Sequence, residues 1–311
     1  MATALQSIFI GSKATPVRAL ACPPLCPYPH PTVAACKFIL WIATALCFAG
    51  RLSAHGDVHQ RINQLTQQIS QRPGDALLLV QRADLYRLDQ DYTNALADLD
   101  RATQLDPTIT RVDFCRGRIQ LEANQPQTAL TFLNKYLADK PNDPEAFTTR
   151  ARVLVKLGRY EAATEDYTAA IHLSSANPEL YIERAEAWRR MGKAEKALQA
   201  LDEGIRRMGP LVTLQLPAID LEVSLRRYDA AIARIDTVTA RYQRKETWLF
   251  RRGEILRQAG RDAEAKRDYR EALAAIDRLP PAHRNTRATL ELERRIRTAL
   301  TNAMARASIH Q

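Results

Sequence analysis

Five arginines stand on one ruler: Arg82, Arg116, Arg150, Arg184 and Arg252 are separated by 34 residues or a multiple of it. A guanidinium can grip a carboxylate or a phosphate through two parallel hydrogen bonds. A ladder of them would offer a series of anion sites. The acids point to another use. Asp98, Asp166 and Asp268 follow Arg82, Arg150 and Arg252 by 16 residues, which suits a pair between one helix and the next. A residue repeated in every unit solves a problem common to every unit, so the arginines are expected to make structural cross-helix ion pairs.

Other reactive side chains are sparse. If the chain is cut after Ala54, it begins His55-Gly56-Asp57-Val58-His59. A terminal amine and imidazole on His55, with His59 as a third nitrogen, would chelate Cu(II). The sandwich scaffold that supports such chelates in copper enzymes is not encoded here, and a short motif alone is weak. Four cysteines, Cys22, Cys26, Cys36 and Cys47, lie in the first 50 residues. Cys115 stands alone in the body and reads as a small buried helix residue. His172 ends a helix, where its charge suits the dipole. No phosphate loop, dinucleotide fingerprint or HExxH pair is present, so no cofactor and no enzymatic activity are expected.

The elements that position these residues are themselves periodic. Ala95, Ala129, Ala163, Ala197, Ala231 and Ala265 recur every 34 residues. Helices that cross closely need a small side chain at the crossing. A second small residue follows each arginine: Ala83, Gly117, Ala151, Ala185 and Gly253. Six units tile residues 76–279 without insertion, each with two amphipathic stretches. Gly158, Gly192, Gly260 and Asn124 mark turns that need a left-handed residue, and Pro107 and Pro141 fall at unit ends. The predicted fold is all-α: a solenoid of six helix pairs with flanking capping helices at 55–75 and 280–311. The fifth unit departs from the pattern, with Ala218 for arginine, Ile219 for the small residue, and Pro217 expected to delay or bend its first helix.

The period, the alanines, the small residue after arginine, the turn glycines, Tyr92, Tyr160 and Tyr228 after the turns, and the unit-end prolines resemble a tetratricopeptide repeat. The resemblance implies a scaffold that binds a protein or peptide on a concave face lined by each unit's first helix. Carried over by position, that face holds Asp84, Arg87, Phe114, Arg118, Thr148, Arg152, Ile182, Glu186, Arg189 and Phe250. It would suit a segment with apolar anchors and an acidic group. The Lys/Asn/Arg clamp of chaperone-binding members is not matched: Val80, Asp84 and Cys115 stand in three of its places. Chaperone-tail binding is therefore not expected.

Charge and hydropathy describe the two ends. Residues 1–54 carry four basic and no acidic residues, and 278–311 carry seven Arg against two Glu. The stretch between them has 34 basic and 33 acidic residues. The pI of 9.6 thus comes from the ends, and a basic stripe for nucleic acid is not expected. Lys37, the apolar run 38–50 and the small residues Ser53 and Ala54 have the order of a secretory signal. The run is short for a membrane span. Residues 1–54 are expected to be leader and signal, and the protein to be periplasmic or secreted. Membrane contact would come only through an uncleaved signal, in which case the chain would be a tethered or cytoplasmic adaptor.

Overall fold

The computed structural model describes the backbone of residues 57–309 and the side chains of residues 57–302. The expected leader, signal and His55 lie outside the described residues. The described residues hold helices and turns and no strand. A first helix, α1, covers 57–71. Six pairs follow: α2 (Ala76–Leu88) with α3 (Tyr92–Leu105), α4 (Arg111–Glu122) with α5 (Pro126–Asp139), and α6 (Pro144–Lys156) with α7 (Tyr160–Leu173). Then come α8 (Pro178–Arg190) with α9 (Ala194–Met208), α10 (Val212–Ser224) with α11 (Tyr228–Thr239), and α12 (Glu246–Gln258) with α13 (Asp262–Asp277). The short α14 (Pro281–Arg284) and the long α15 (Arg287–Ile309) close the stack.

Each boundary has a local cause. The side chains of Asp75, Asp143 and Asn177 accept backbone N–H groups at the starts of α2, α6 and α8. Pro144 and Pro178 occupy first-turn positions that have no N–H to lose. Between the helices of every pair the backbone turns through a left-handed residue: Gln90, Asn124, Gly158, Gly192, Arg226 and Gly260, all with φ between 57° and 76°. The next N–H then bonds back five residues, as from Asp91 to Tyr86 and from Arg261 to Leu256, both at 2.8 Å. That bond satisfies a carbonyl at the helix end.

All six periodic alanines are fully buried. The small residue after arginine has an equally physical reason. A Cβ on Gly117 would sit 2.7 Å from Leu133 Cγ, and one on Gly253 would sit 2.6 Å from Tyr269 Cε1. The pair is packed too closely there for a methyl group.

The arginines tie the stack together more fully than cross-helix pairing requires. Arg82, Arg150 and Arg252 each chelate the aspartate 16 residues ahead, through Nε and Nη2 at 2.6–2.8 Å. Each also reaches 16 residues back into the preceding unit: Arg82 to Thr66 Oγ1, Arg150 to Asn134 Oδ1, Arg252 to Asp236 Oδ1. Where the forward aspartate is missing, the guanidinium finds a substitute. Arg116 lies over the Phe132 ring, 5.6 Å from its centroid, and donates back to Asp100. Arg184 turns to Glu203 at 2.5 Å and donates back to Thr168, leaving its Nε without a partner. The guanidinium is thus a clamp between consecutive units as well as within one.

The fifth unit keeps the clamp and moves its carrier. Ala218 occupies the usual arginine position, and Arg234 occupies the place of the forward aspartate. Arg234 donates through Nη2 to Asp202 of the preceding unit at 2.7 Å and through Nε to the buried Glu222 at 2.8 Å. Pro217 does not delay α10, which begins at Val212 in register and runs through it. The carbonyl that loses its donor belongs to Thr213, a solvent-exposed residue, so water can replace the missing N–H.

Candidate functional site

The face lined by the first helices is dense with charge, and most of it is already engaged. Arg87 is buried and donates to Asp84 at 2.8 Å and to Glu122 at 2.6 Å. Arg118 lies between Glu145 at 3.2 Å and Asp84 at 3.7 Å. Arg152 donates to both carboxylate oxygens of Glu183, and that bond is the main cause of its raised pKa. Glu186 accepts from Arg189 and Arg190. The Arg189 bond is the larger cause holding the Glu186 carboxyl below the usual range. The Thr148 hydroxyl donates to the carbonyl of Pro144 at 2.7 Å. An acidic ligand at most of these places would have to displace an internal carboxylate.

Two expected apolar anchors are buried beneath the face and offer little surface of their own. Phe114 is fully buried, tilted against Tyr136 with ring centroids 5.2 Å apart. Arg111 and Arg118 cover its ring at 4.6 and 5.5 Å. Phe250 is 7% exposed and packs on Tyr269. The cause is common to both: at the fifth position of the unit each ring turns inward onto an aromatic partner offered by the second helix of its pair, Tyr136 or Tyr269. Arg87 joins them as a core group. Cys115 is buried as expected, and burial pushes its thiol up to about 11, out of the reactive range. Val80 is buried beside it.

Ile182, unlike the two rings, lines an open and mostly apolar part of the face. It is half-buried at the edge of a groove of about 460 Å³ between α8 and α10, with Ala185, Pro217 and Leu221 as neighbours and α9 beneath. Glu186, Arg189 and Asp220 rim it. Pro217 was recognisable in the sequence as an irregularity. Its place in a groove wall is a tertiary fact, since it depends on α10 lying beside α8. Asp220 pairs with Arg251 of α12. His59 lies 3.7 Å from Asp89, and among the described residues no group of three His, Cys, Asp or Glu side chains would hold a metal ion. No described helix is long and apolar enough to cross a membrane.

Two family models described as tetratricopeptide repeat match this chain, one over residues 86–153 and one over 148–210 and 216–280. Cellulose synthase operon protein C of Pseudomonas fluorescens is 27% identical over 128 residues, which make up 41% of this chain and 10% of that protein. Ethylene-overproduction protein 1 of Arabidopsis thaliana is 37% identical over 78 residues, 25% of this chain and 8% of that one. The chain thus spans a tenth or less of the length of these two relatives. Among solved structures, a tetratricopeptide repeat protein from Parabacteroides merdae aligns with a TM-score of 0.48 at 17% identity, over 85% of this chain and 97% of that one.

Proposed function

The chain belongs to the tetratricopeptide repeat proteins, and on that basis we propose that it is a scaffold whose groove between α8 and α10 is the main seat for a protein or peptide segment. Tetratricopeptide repeat proteins bind such partners. The observation that carries the choice of seat is the apolar opening at Ile182, Pro217 and Leu221. Along much of the remaining first-helix face the charged groups are engaged in internal ion pairs, whereas here a mostly apolar lining is left for a partner to cover.

The test is selection of peptides from a random dodecapeptide display library on the full chain. Wild-type protein should return sequences with a shared apolar position, and Ile182→Glu should return none while keeping its helical content. Equal selection by Ile182→Glu would move the seat elsewhere.

We further infer that the protein is exported to the periplasm or cell exterior. The support is the order of residues 37–54: a lysine, an apolar run and small residues. Intact mass of the protein from its native host decides this. A chain starting at His55 supports export, and one that keeps 38–54 makes it a tethered or cytoplasmic adaptor.

A further inference from the structure

At the C-terminal end of the same face, α12 and α15 border a second open pocket, also of about 460 Å³, lined by Phe250, Glu254, Arg257, Arg294, Arg295 and Asn302 among others. Its charged lining is three arginines against one glutamate. Two of the arginines are engaged. Arg257 donates to Glu254 at 3.1 Å, and Glu254 also accepts from the Tyr269 hydroxyl. Arg294 donates to Glu291 at 2.6 Å.

Arg295 differs. Its guanidinium lies over the Phe250 ring, 5.1 Å from the centroid, and no carboxylate of the described residues lies within the 4.0 Å of an ion pair. Stacking restrains the side chain and shields one face from water; its N–H groups make no hydrogen bond to a described residue, and Glu291, which feels its charge from one turn earlier, is hydrogen-bonded to Arg294. The Phe250 base is fixed, being buried and packed on Tyr269. Arg87, Arg118, Arg152 and Arg251, by contrast, each have a carboxylate partner on the same face.

Building on the scaffold reading above, we propose that this end pocket binds an aspartate or glutamate side chain of the segment held on the first-helix face. Arg295 donates the hydrogen bonds, and Arg257 and Arg294 add positive field. The pocket therefore orients the segment, placing its acidic residue toward α15 and its apolar residue toward the α8–α10 groove.

The experiment repeats the display selection on full-chain wild type, Arg295→Gln and Arg295→Glu. Library peptides are fused through their C-termini, so any acidic preference comes from side chains. Wild type should enrich one acidic position, and both variants should lose that preference but keep the apolar one. The leading wild-type peptide and its amide analogue (Glu→Gln or Asp→Asn) are then compared by calorimetry. The analogue should bind wild type about tenfold more weakly, as expected for loss of a charge-assisted hydrogen bond, and should match the parent on Arg295→Gln. An acidic preference that survives in both variants, or is missing from wild type while the apolar position is selected, overturns the pocket and spares the groove. Failure of wild type to select any peptide overturns both.

Discussion

Removing Arg234 should be among the costliest single substitutions on the surface of this stack. Its guanidinium is 17% exposed and serves two carboxylates, Glu222 at 5% and Asp202 at 33% exposure. Arg234→Ala leaves Glu222 as a buried charge with neither oxygen satisfied, because its Oε2 already lacks a partner. Breaking a buried pair from one side costs about 3–5 kcal/mol. The solvent-screened Asp202 adds well under 1 kcal/mol. A loss of about 3–5 kcal/mol is expected, measured by equilibrium urea unfolding of the full chain. Stacked units need not unfold together, so hydrogen exchange should localise the loss to α9–α11. Glu222→Gln added to Arg234→Ala should recover at least half of it. The sign with pH follows from burial, which raises the Glu222 carboxyl above its ordinary value against the pull of Arg234. A raised carboxyl favours the folded state in its protonated form, and that contribution fades as pH climbs through its folded value. The defect of Arg234→Ala should therefore shrink as pH falls from neutral toward the glutamate range. A cost below about 1 kcal/mol, or no recovery with Glu222→Gln, would refute the relocated clamp.

Three further outcomes are expected. Gly253→Ala should destabilise by about 1–3 kcal/mol, since its methyl would meet Tyr269 at 2.6 Å; thermal melts of the full chain check this. Gln90→Gly and Arg226→Gly should each raise stability by about 0.5–1 kcal/mol, because their left-handed backbone (φ 63° and 58°) strains any residue with a Cβ. Unchanged urea midpoints would contradict this. Cys115, its thiol pushed up to about 11 by burial, should resist maleimide at pH 8 in the native state and label fully in urea, as read by mass spectrometry of its peptide.

Periodicity carries much of the fold in the open. The alanines, the turn glycines and the Arg/Asp spacing of 16 each state a local constraint repeated at fixed distance, and the helix pairs follow from them. The residues Gln90 and Arg226 hide two of the six turns, since neither type advertises a left-handed backbone. The backward half of the clamp was hidden for another reason. Its acceptors, Thr66, Asn134, Thr168 and Asp236, vary in chemistry, and only the position recurs. The binding face was the least legible part. Helical position alone cannot tell an inward ring such as Phe114 from an outward Ile182, because that choice depends on what the partner helix presents. Nor does spacing reveal that Arg118 and Arg152 are neutralised by acids from adjacent units. The end pocket needs α15 packed on α13 so that it faces α12, an arrangement of segments that the repeat does not relate.

The clamp also bears on how such a chain can change length. Every incoming guanidinium meets the same socket, 16 residues behind an arginine of the usual register, and that socket holds an oxygen acceptor in every unit where the clamp is made: Thr66, Asp100, Asn134, Thr168 and Asp236. Asp202 holds the equivalent place for Arg234. Excising residues 144–177 would present Arg184 to Asn134, and duplicating them would present a second Arg150 to Thr168. In both cases the joint closes with partners already in place. Gain or loss of whole units therefore requires no matching substitution on the neighbouring unit, so the seam is a standard fitting along which copying errors of 34 residues would be tolerated.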